Sequence, residues 1–366
     1  MKVALSHDWL NGMRGGEKCL EVLCELYPDS PIYTLFYERG KISETIAKHP
    51  IHPSALQHFP GIFSSYRYYL PLYPRLIESF RPEECDLLIS TNHCVAKGLK
   101  KRKSARHLCY CFTPMRYAWG FFDEYFGKKN KVSQWMIRSV IDRMKEWDLR
   151  SNEGVDHFIA ISHHIRERIL KCYGREAEVV YPPVDTDFYT PDPGVQPEDF
   201  YLIVSALVPY KKIDLAVRVF NRLGRRLIII GDGPERKLLE AQASKNIRFL
   251  GWQPQEALRD HYRRTKALIF PGEEDFGIVP VEVQSSGRFV IAYAKGGALE
   301  TVLDRKTGVF FRSPDEAGLE QAVLNYETEH FLPQAARENA LKFSRQRFKS
   351  EIDRSIRRFL SSAGPV

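Results

Sequence analysis

The stretch Glu274-Asp-Phe-Gly-Ile-Val-Pro-Val-Glu282 decides how this chain is read. Just ahead of it, residues 266–270 (Lys-Ala-Leu-Ile-Phe) are a short apolar run closed by Pro271 and Gly272, which predicts a buried strand ending at a turn. A helix should follow, and Pro280 fixes its start: the missing N–H does no harm only in a first helical turn, so the helix begins near Gly277. Gly287 ends it, and residues 288–292 supply the next strand. Strand, loop, helix and strand in this order are the building block of a parallel sheet.

That placement has chemical consequences. The leading N–H groups of Gly277, Ile278 and Val279 would point out of the helix start at the carboxyl edge of the sheet, a ready site for a phosphate. Gly277 lets a ligand approach the backbone closely. Glu274 falls in the loop before this positive end, and Glu282, about one turn into the helix, is expected to look outward rather than into the core. One carboxylate on each side of an anion site suits a nucleotide sugar, which carries hydroxyls at both ends and a diphosphate between. A solvated acidic loop ahead of an ordinary amphipathic helix is the plainer alternative.

Glu274 and Glu282, with Phe276-Gly277 between them, resemble the E-x7-E motif of retaining GT-B glycosyltransferases of the family-4 type. The resemblance implies an α/β protein of two Rossmann-like domains with the active site in the interdomain cleft. It also implies that Glu274 faces the transferred sugar, that the backbone after Phe276-Gly277 holds the diphosphate, and that Glu282 binds the ribose hydroxyls.

Composition agrees with a protein of this kind. A length of 366 residues predicts about two domains, and 43% hydrophobic with 12% aromatic residues excludes a disordered chain. The net charge of +8 calls for an anionic partner, whether phosphorylated substrate, acidic membrane face or nucleic acid. Lys2-Val-Ala-Leu before Ser6-His7-Asp8 lacks the pattern of a signal peptide, so none is expected, and no apolar run approaches the ~18 residues that span a bilayer. The seven cysteines are odd in number and lack metal-type spacing; the expectation is a reducing, cytoplasmic setting, with contact at the inner face of the plasma membrane.

In the first half, residues 2–6 predict a strand and residues 19–26 a helix, joined by Asn11-Gly-Met-Arg-Gly-Gly16-Glu-Lys18. Gly15 and Gly16 at the helix start fit close approach to a phosphate, and the loop resembles the glycine loop that closes over donor phosphates in the same family. Residues 59–82, with Phe63, Tyr66, Tyr68, Tyr69 and Tyr73, predict either an exposed aromatic and basic face suited to a membrane interface or a buried helical hairpin. Lys97, Lys100, Lys101, Arg102, Lys103 and Arg106 form a basic run that would meet anionic lipid or simply decorate a solvated face. Phe112-Thr-Pro-Met-Arg-Tyr-Ala-Trp119 resembles a segment of the family branch that assembles surface polysaccharides. There the position of Phe112 is usually a histidine contacting the sugar, a role a phenyl ring cannot fill. His93 is placed to reach the same space, or else serves the structure; Arg116 is a further candidate for sugar or acceptor contact.

Residues 131–154 read as a long amphipathic helix, and Ser162 as the cap of the next. The proline-dense stretch 182–197 predicts a linker, so the domains run 1–182 and 183–344, with a closing helix (335–360 by pattern) whose part from about 345 to 366 returns to the first domain, as the resemblance implies. Asp185-Thr-Asp187 imitates a DxD metal motif but follows two prolines, and no metal site is expected. In the second half, residues 201–206 give a strand, and Lys211 and Lys212 stand at its carboxyl end, placed to neutralise a diphosphate. The family usually adds an arginine five positions before Lys211, where this chain has Ala206.

The sequence therefore predicts a retaining glycosyltransferase that moves a hexose, with mannose from GDP-mannose preferred, to a hydroxyl of a glycan or lipid-linked saccharide. Catalysis falls to Glu274. Donor binding falls to Gly15, Gly16, Lys211, Lys212, Phe276, Gly277, Ile278, Val279 and Glu282, with no metal or cofactor beyond the donor. A glucan synthase or phosphorylase of the same architecture, and a basic nucleic-acid-binding module, are the alternatives.

Overall fold

The computed structural model of the chain describes residues 1–82, 84–120 and 130–362. It divides into two units, Met1–Pro183 with Phe348–Val366, and Val184–Arg347.

The first unit is built on seven parallel strands: β1 (Val3–His7), β2 (Ile32–Thr34), β3 (Ile51–Pro53), β4 (Leu87–Asn92), β5 (Arg106–Cys111), β6 (His157–Ala160) and β7 (Ala177–Val179). Their order is β3-β2-β1-β4-β5-β6-β7, so the winding reverses between β1 and β4. Every residue of β1 and β4 is buried, as expected of central strands covered on both faces. His107 in β5 is buried too, with Nε2 at 2.8 Å from Ser90 Oγ and Nδ1 at 3.0 Å from the Gly154 carbonyl; burial pulls its pKa down to about 4. The Gly15–Leu26 helix begins at the predicted glycines, and Ser162 Oγ accepts the Ile165 N–H at the head of the His163–Tyr173 helix.

The second unit carries six parallel strands: β8 (Tyr201–Val204), β9 (Leu227–Ile230), β10 (Ile247–Gly251), β11 (Ala267–Phe270), β12 (Phe289–Tyr293) and β13 (Gly308–Phe311). The order β10-β9-β8-β11-β12-β13 reverses between β8 and β11. Side chains alternate between two cores. Tyr201, Ile203, Leu227, Ile229, Ala267, Ile269 and Ile291 enter one, while Leu202, Ile230, Leu268, Phe270, Val290 and Ala292 enter the other. With both faces occupied, the strands read as apolar runs and polar groups are left to the ends.

Four expectations need correction. The closing helix is two helices, Pro333–Leu341 and Arg345–Ser361, because the chain breaks where the Phe343 carbonyl accepts the N–H of Val184 at 2.9 Å. From Phe348 onward it belongs to the first unit, where Phe348 packs edge-on against Tyr110 and the Arg106 guanidinium lies 3.6 Å from the Phe359 ring centre. Positions 363–366 lie outside the described residues. The proline-rich stretch is no free linker at its start: Tyr189 is buried in the second unit, and Thr190 is held by Arg263 through its carbonyl (2.7 Å) and hydroxyl (2.9 Å).

Residues 59–82 are neither wholly exposed nor a hairpin. Short helical turns bury Ile62, Tyr66, Tyr73 and Ile77 and leave Phe63, Tyr68 and Leu72 exposed. The basic run is largely neutralised inside its own unit, since Lys100 pairs with Glu78, Lys101 with Asp156 and Arg102 with Glu84. Lys97 is wholly buried. Its Nζ pairs with Asp148 Oδ1 at 2.8 Å and donates to the Asp148 carbonyl (2.7 Å) and to Ser151 Oγ, and it lies 5.0 Å from the Tyr173 ring centre. Trp119 Nε1 and the Tyr173 hydroxyl both donate to Asp148 Oδ2 at 2.8 Å, while Oδ1 faces the Lys97 charge.

Removing one member of a buried pair strands the other. Lys97→Ala or Asp148→Ala should each destabilise the protein by about 3–5 kcal/mol in urea unfolding, and the double change Lys97→Met with Asp148→Leu should cost less than either. Single variants within about 0.5 kcal/mol of wild type would contradict this role for the pair.

Candidate active site

In open parallel sheets ligands gather at the carboxyl ends of the strands, where the winding reverses. In the second unit that point lies between β8 and β11. The loop after β8 makes a 3-10 turn, Pro209–Lys211, and the loop after β11 runs from Pro271 to Gly277. A Cβ on Gly272 would sit 2.8 Å from Lys211 Cα, so only glycine lets the two loops touch. Their contact closes an ion pair between Lys211 and Glu274, whose side chains are 13% and 18% exposed. Ser205, Ile213 and Phe270 line the same small pocket. The Glu274 carbonyl accepts the Gly297 N–H at 2.8 Å, which fixes the loop from its far side.

The helix after this loop is Ile278–Ser285 and starts from Gly277 at φ 93°, a conformation open to glycine. No side chain caps it, and among the described residues none accepts a hydrogen bond from the N–H groups of Gly277, Ile278 or Val279. These amides are therefore open to a ligand. Phe276 turns its ring inward against Phe343 and reaches the site through its backbone only. Lys212, exposed at φ 54°, starts the Ile213–Leu223 helix.

Glu282 departs from expectation: it is 7% exposed, not outward-facing. One turn into the helix the side chain meets Tyr262, whose hydroxyl donates to Glu282 Oε2 at 2.9 Å. Burial, and next the Glu282 charge, push the Tyr262 phenol well above its ordinary pKa, so it stays a donor. Behind it, Gln284 donates to the Pro280 (3.1 Å) and Thr301 (2.8 Å) carbonyls and accepts from Asn339 (2.8 Å), while Arg337 donates to Ser285 Oγ (2.6 Å). Tyr262, Gln284, Arg337 and Asn339 escaped the sequence reading; their signal is polar residues inside apolar helices, legible only once their partners are known. In Asp185-Thr-Asp187, Asp185 Oδ1 accepts the Phe188 N–H at 3.2 Å and makes a turn.

In the first unit the winding reverses between β1 and β4, and the chemistry-bearing residues collect there. Asp8, directly after β1, is fully buried. Its Oδ2 accepts the N–H groups of His93 (2.7 Å) and Cys94 (3.1 Å), and its Oδ1 those of Val95 (2.6 Å) and Ala96 (2.7 Å). His93 Nδ1 also lies 2.8 Å from Asp8 Oδ2. Burial works against the Asp8 charge, but His93 and its hydrogen bonds outweigh it and hold the pKa at about 2. For His93 burial is again the largest effect and lowers the pKa, yet the combined pull of Asp8 and Glu17 raises it. His7, 2.7 Å from Thr91 Oγ1, is driven down to about 4 by burial and is neutral.

Phe112 packs edge-on against Tyr110 and lies beside His93, their ring centres 6.4 Å apart, and Gly16 abuts the same ring. The structure thus joins Gly16, His93 and Phe112 in one place, and the charge of the half-buried Arg116 is felt by His93. Asp8 and Trp9 escaped the sequence reading, although an acid placed straight after a first strand is a signal.

The profile described as "Glycosyltransferase Family 4" matches residues 32–188, and that described as "Glycosyl transferases group 1" matches residues 188–343. The chain belongs to the family-4 glycosyltransferases. A GDP-mannose-dependent alpha-(1-6)-phosphatidylinositol monomannoside mannosyltransferase of Mycolicibacterium smegmatis is 30% identical over 204 residues, covering 48% of this chain and 53% of the relative. A D-inositol 3-phosphate glycosyltransferase of Mycobacteroides abscessus is 29% identical over 193 residues, covering 47% and 42%. The chain spans about half the length of the curated relatives it matches. Anabaena HepE in complex with UDP and glucose matches with a TM-score of 0.69 at 16% identity, covering 99% of this chain and all of the other. Sucrose-phosphate synthase from Thermosynechococcus elongatus matches at 0.74 and 14%, with the same coverage. At these identities the likeness shows the fold, the two Rossmann-like units of GT-B proteins.

Two buried neutral imidazoles make this family-4 chain sensitive to acid. The folded pKa of His7 and of His107, each about 4, lies below the unfolded value of 6.5, so the unfolded chain binds the proton first. Their contribution is complete above pH 6.5 and disappears as pH falls toward 4, on the order of 3 kcal/mol for each. His107→Gln should flatten the fall of melting temperature between pH 7 and 4; an unchanged slope would contradict a neutral buried ring.

Proposed function

We propose that this family-4 protein is a retaining hexosyltransferase that moves a sugar from a nucleotide diphosphate to a hydroxyl of a glycan or lipid-linked saccharide. The observation that carries the reading is the uncapped start of the Ile278–Ser285 helix, flanked by Lys211 with Glu274 and by the buried Glu282. As the bond between sugar and diphosphate stretches, negative charge grows on the leaving oxygen and positive charge on the sugar ring. Lys211, with Lys212 nearby, and the amides of Gly277, Ile278 and Val279 would stabilise the first. Glu274 would stabilise the second.

The Lys211–Glu274 pair gives a sequence to these events. Without donor the two charges neutralise each other. An arriving diphosphate takes over the lysine and leaves the carboxylate for the sugar. In this reading no metal is needed, because the lysine and the amides carry the charge. Glu282, held by Tyr262, would offer its carboxylate to ribose hydroxyls. GDP-mannose is the preferred donor, supported by the mannosyltransferase relatives.

A thermal-shift series with GDP, UDP, ADP and their sugars tests the donor, since a ligand bound only by the native state raises the melting temperature. Glu274→Ala should lower transfer by about 10²–10³-fold while nucleotide binding survives. Glu282→Ala should weaken donor binding roughly tenfold or more. Near-normal turnover by Glu274→Ala would refute the catalytic assignment.

We also propose contact with a membrane surface through the exposed Phe63, Tyr68 and Leu72 rather than through the basic run, whose charges are largely paired. Phe63→Ser with Tyr68→Ser should lower co-sedimentation with phosphatidylglycerol vesicles severalfold; unchanged binding would remove this face from the interface.

A further inference from the structure

The first unit holds a charged pair that the reading above does not explain. Asp8 spends both oxygens on four backbone N–H groups and still faces His93 Nδ1 at 2.8 Å, so the imidazole is held by one nitrogen against a wholly buried anion. The opposite nitrogen, Nε2, has no hydrogen-bond partner among the described residues, and the side chain is 36% exposed. Trp9 fixes the ring from the side, edge-on at 4.5 Å between centres, and Phe112 lies beyond it at 6.4 Å. His107, by contrast, is wholly buried and satisfied at both nitrogens. His93 is satisfied at one and displays the other.

We propose that His93, locked by Asp8, is a charge-assisted hydrogen-bond donor for a phosphate oxygen of the substrate, and that Asp8 is the positioning residue that keeps it charged. The inference rests on the nucleotide-sugar reading and adds a phosphate contact on the first unit. The charged groups around the ring are Asp8 after β1, Glu17 on the Gly15–Leu26 helix, Arg116 after β5, and His7, which is neutral. Asp8 and Glu17 favour the imidazolium; Arg116 opposes it and adds to the attraction for an anion. Once His93 loses its proton, the Asp8-bound Nδ1 keeps its hydrogen and Nε2 turns into a bare acceptor that repels a phosphate oxygen. The contact is therefore present below the folded pKa of His93 and lost as pH rises through it.

Two sources share this chemistry, the donor diphosphate and a lipid-linked acceptor diphosphate, and calorimetric titration separates them. GDP-mannose is the donor probe because its doubly esterified diphosphate does not titrate between pH 5.5 and 9. Inorganic pyrophosphate added to GDP-saturated protein at pH 7 is the acceptor probe. NMR of the His93 ring supplies its pKa in the wild-type protein. If the donor is the source, GDP-mannose affinity should fall roughly ten- to a hundredfold as pH rises through that pKa, and His93→Gln should bind weakly at every pH. If the acceptor is the source, His93→Gln should lose the same factor for pyrophosphate alone. Asp8→Asn should lower the pKa of His93 and move the pH profile with it; should that variant fail to fold, His93→Gln and the wild-type titration decide. Equal affinity of wild type and His93→Gln for both probes, or a His93 that titrates below 6.5, overturns the proposal. A protein that binds neither GDP-mannose nor UDP-glucose refutes the donor reading instead, and the pyrophosphate comparison, then made without GDP, still tests His93.

Discussion

Burial of both faces of a parallel sheet is the constraint from which the rest follows. Tyr201 and Leu202, neighbours in β8, belong to opposite cores, and the same alternation holds along β9, β11 and β12. A strand covered above and below has no place for an unpaired polar group, so chemistry is confined to the strand ends. The reversal of winding then opens a gap between loops leading to opposite sides, and each unit places its charged residues there: Lys211 and Glu274 between β8 and β11, Asp8 and His93 between β1 and β4.

The two pairs answer the cost of charge in different ways. Lys211 and Glu274 are partly exposed and neutralise each other across two loops, a contact that can be exchanged for another anion. Asp8 is solvated by four backbone N–H groups before its histidine is counted, so its charge is fixed by the fold itself. Lys97 and Asp148 are a third case, buried and enclosed by Trp119, Ser151 and Tyr173. That pair holds structure, and its place in a basic run of sequence conceals the fact.

The sequence made the backbone legible wherever a glycine or proline had a geometric duty. Pro280 placed the start of the site helix at Gly277, and Gly15 with Gly16 placed the start of the first helix. Charged side chains were less legible, because a linear pattern gives their spacing and not their partners. Glu282 was expected to face outward since a carboxylate in a core is costly, yet a tyrosine twenty positions earlier in the chain meets that cost. The closing helix looked continuous because residues 342–344 (Lys-Phe-Ser) carry no breaker; a backbone hydrogen bond to Val184 interrupts it.

Phe112 shows how a missing residue should be judged. Its ring cannot exchange a proton, and from the sequence alone the resemblance to a histidine-bearing branch is weakened at that position. In the structure the ring fills a space bounded by Tyr110, His7, Gly16 and His93, so it closes the apolar floor beneath the His93 imidazole, whose outer nitrogen has no hydrogen-bond partner among the described residues. An apolar neighbour also weakens water's screening and strengthens the attraction between Asp8 and a protonated His93. The phenyl ring at 112 and the raised pKa of His93 therefore belong to one arrangement, in which an imidazole held by Asp8 stands over an apolar floor.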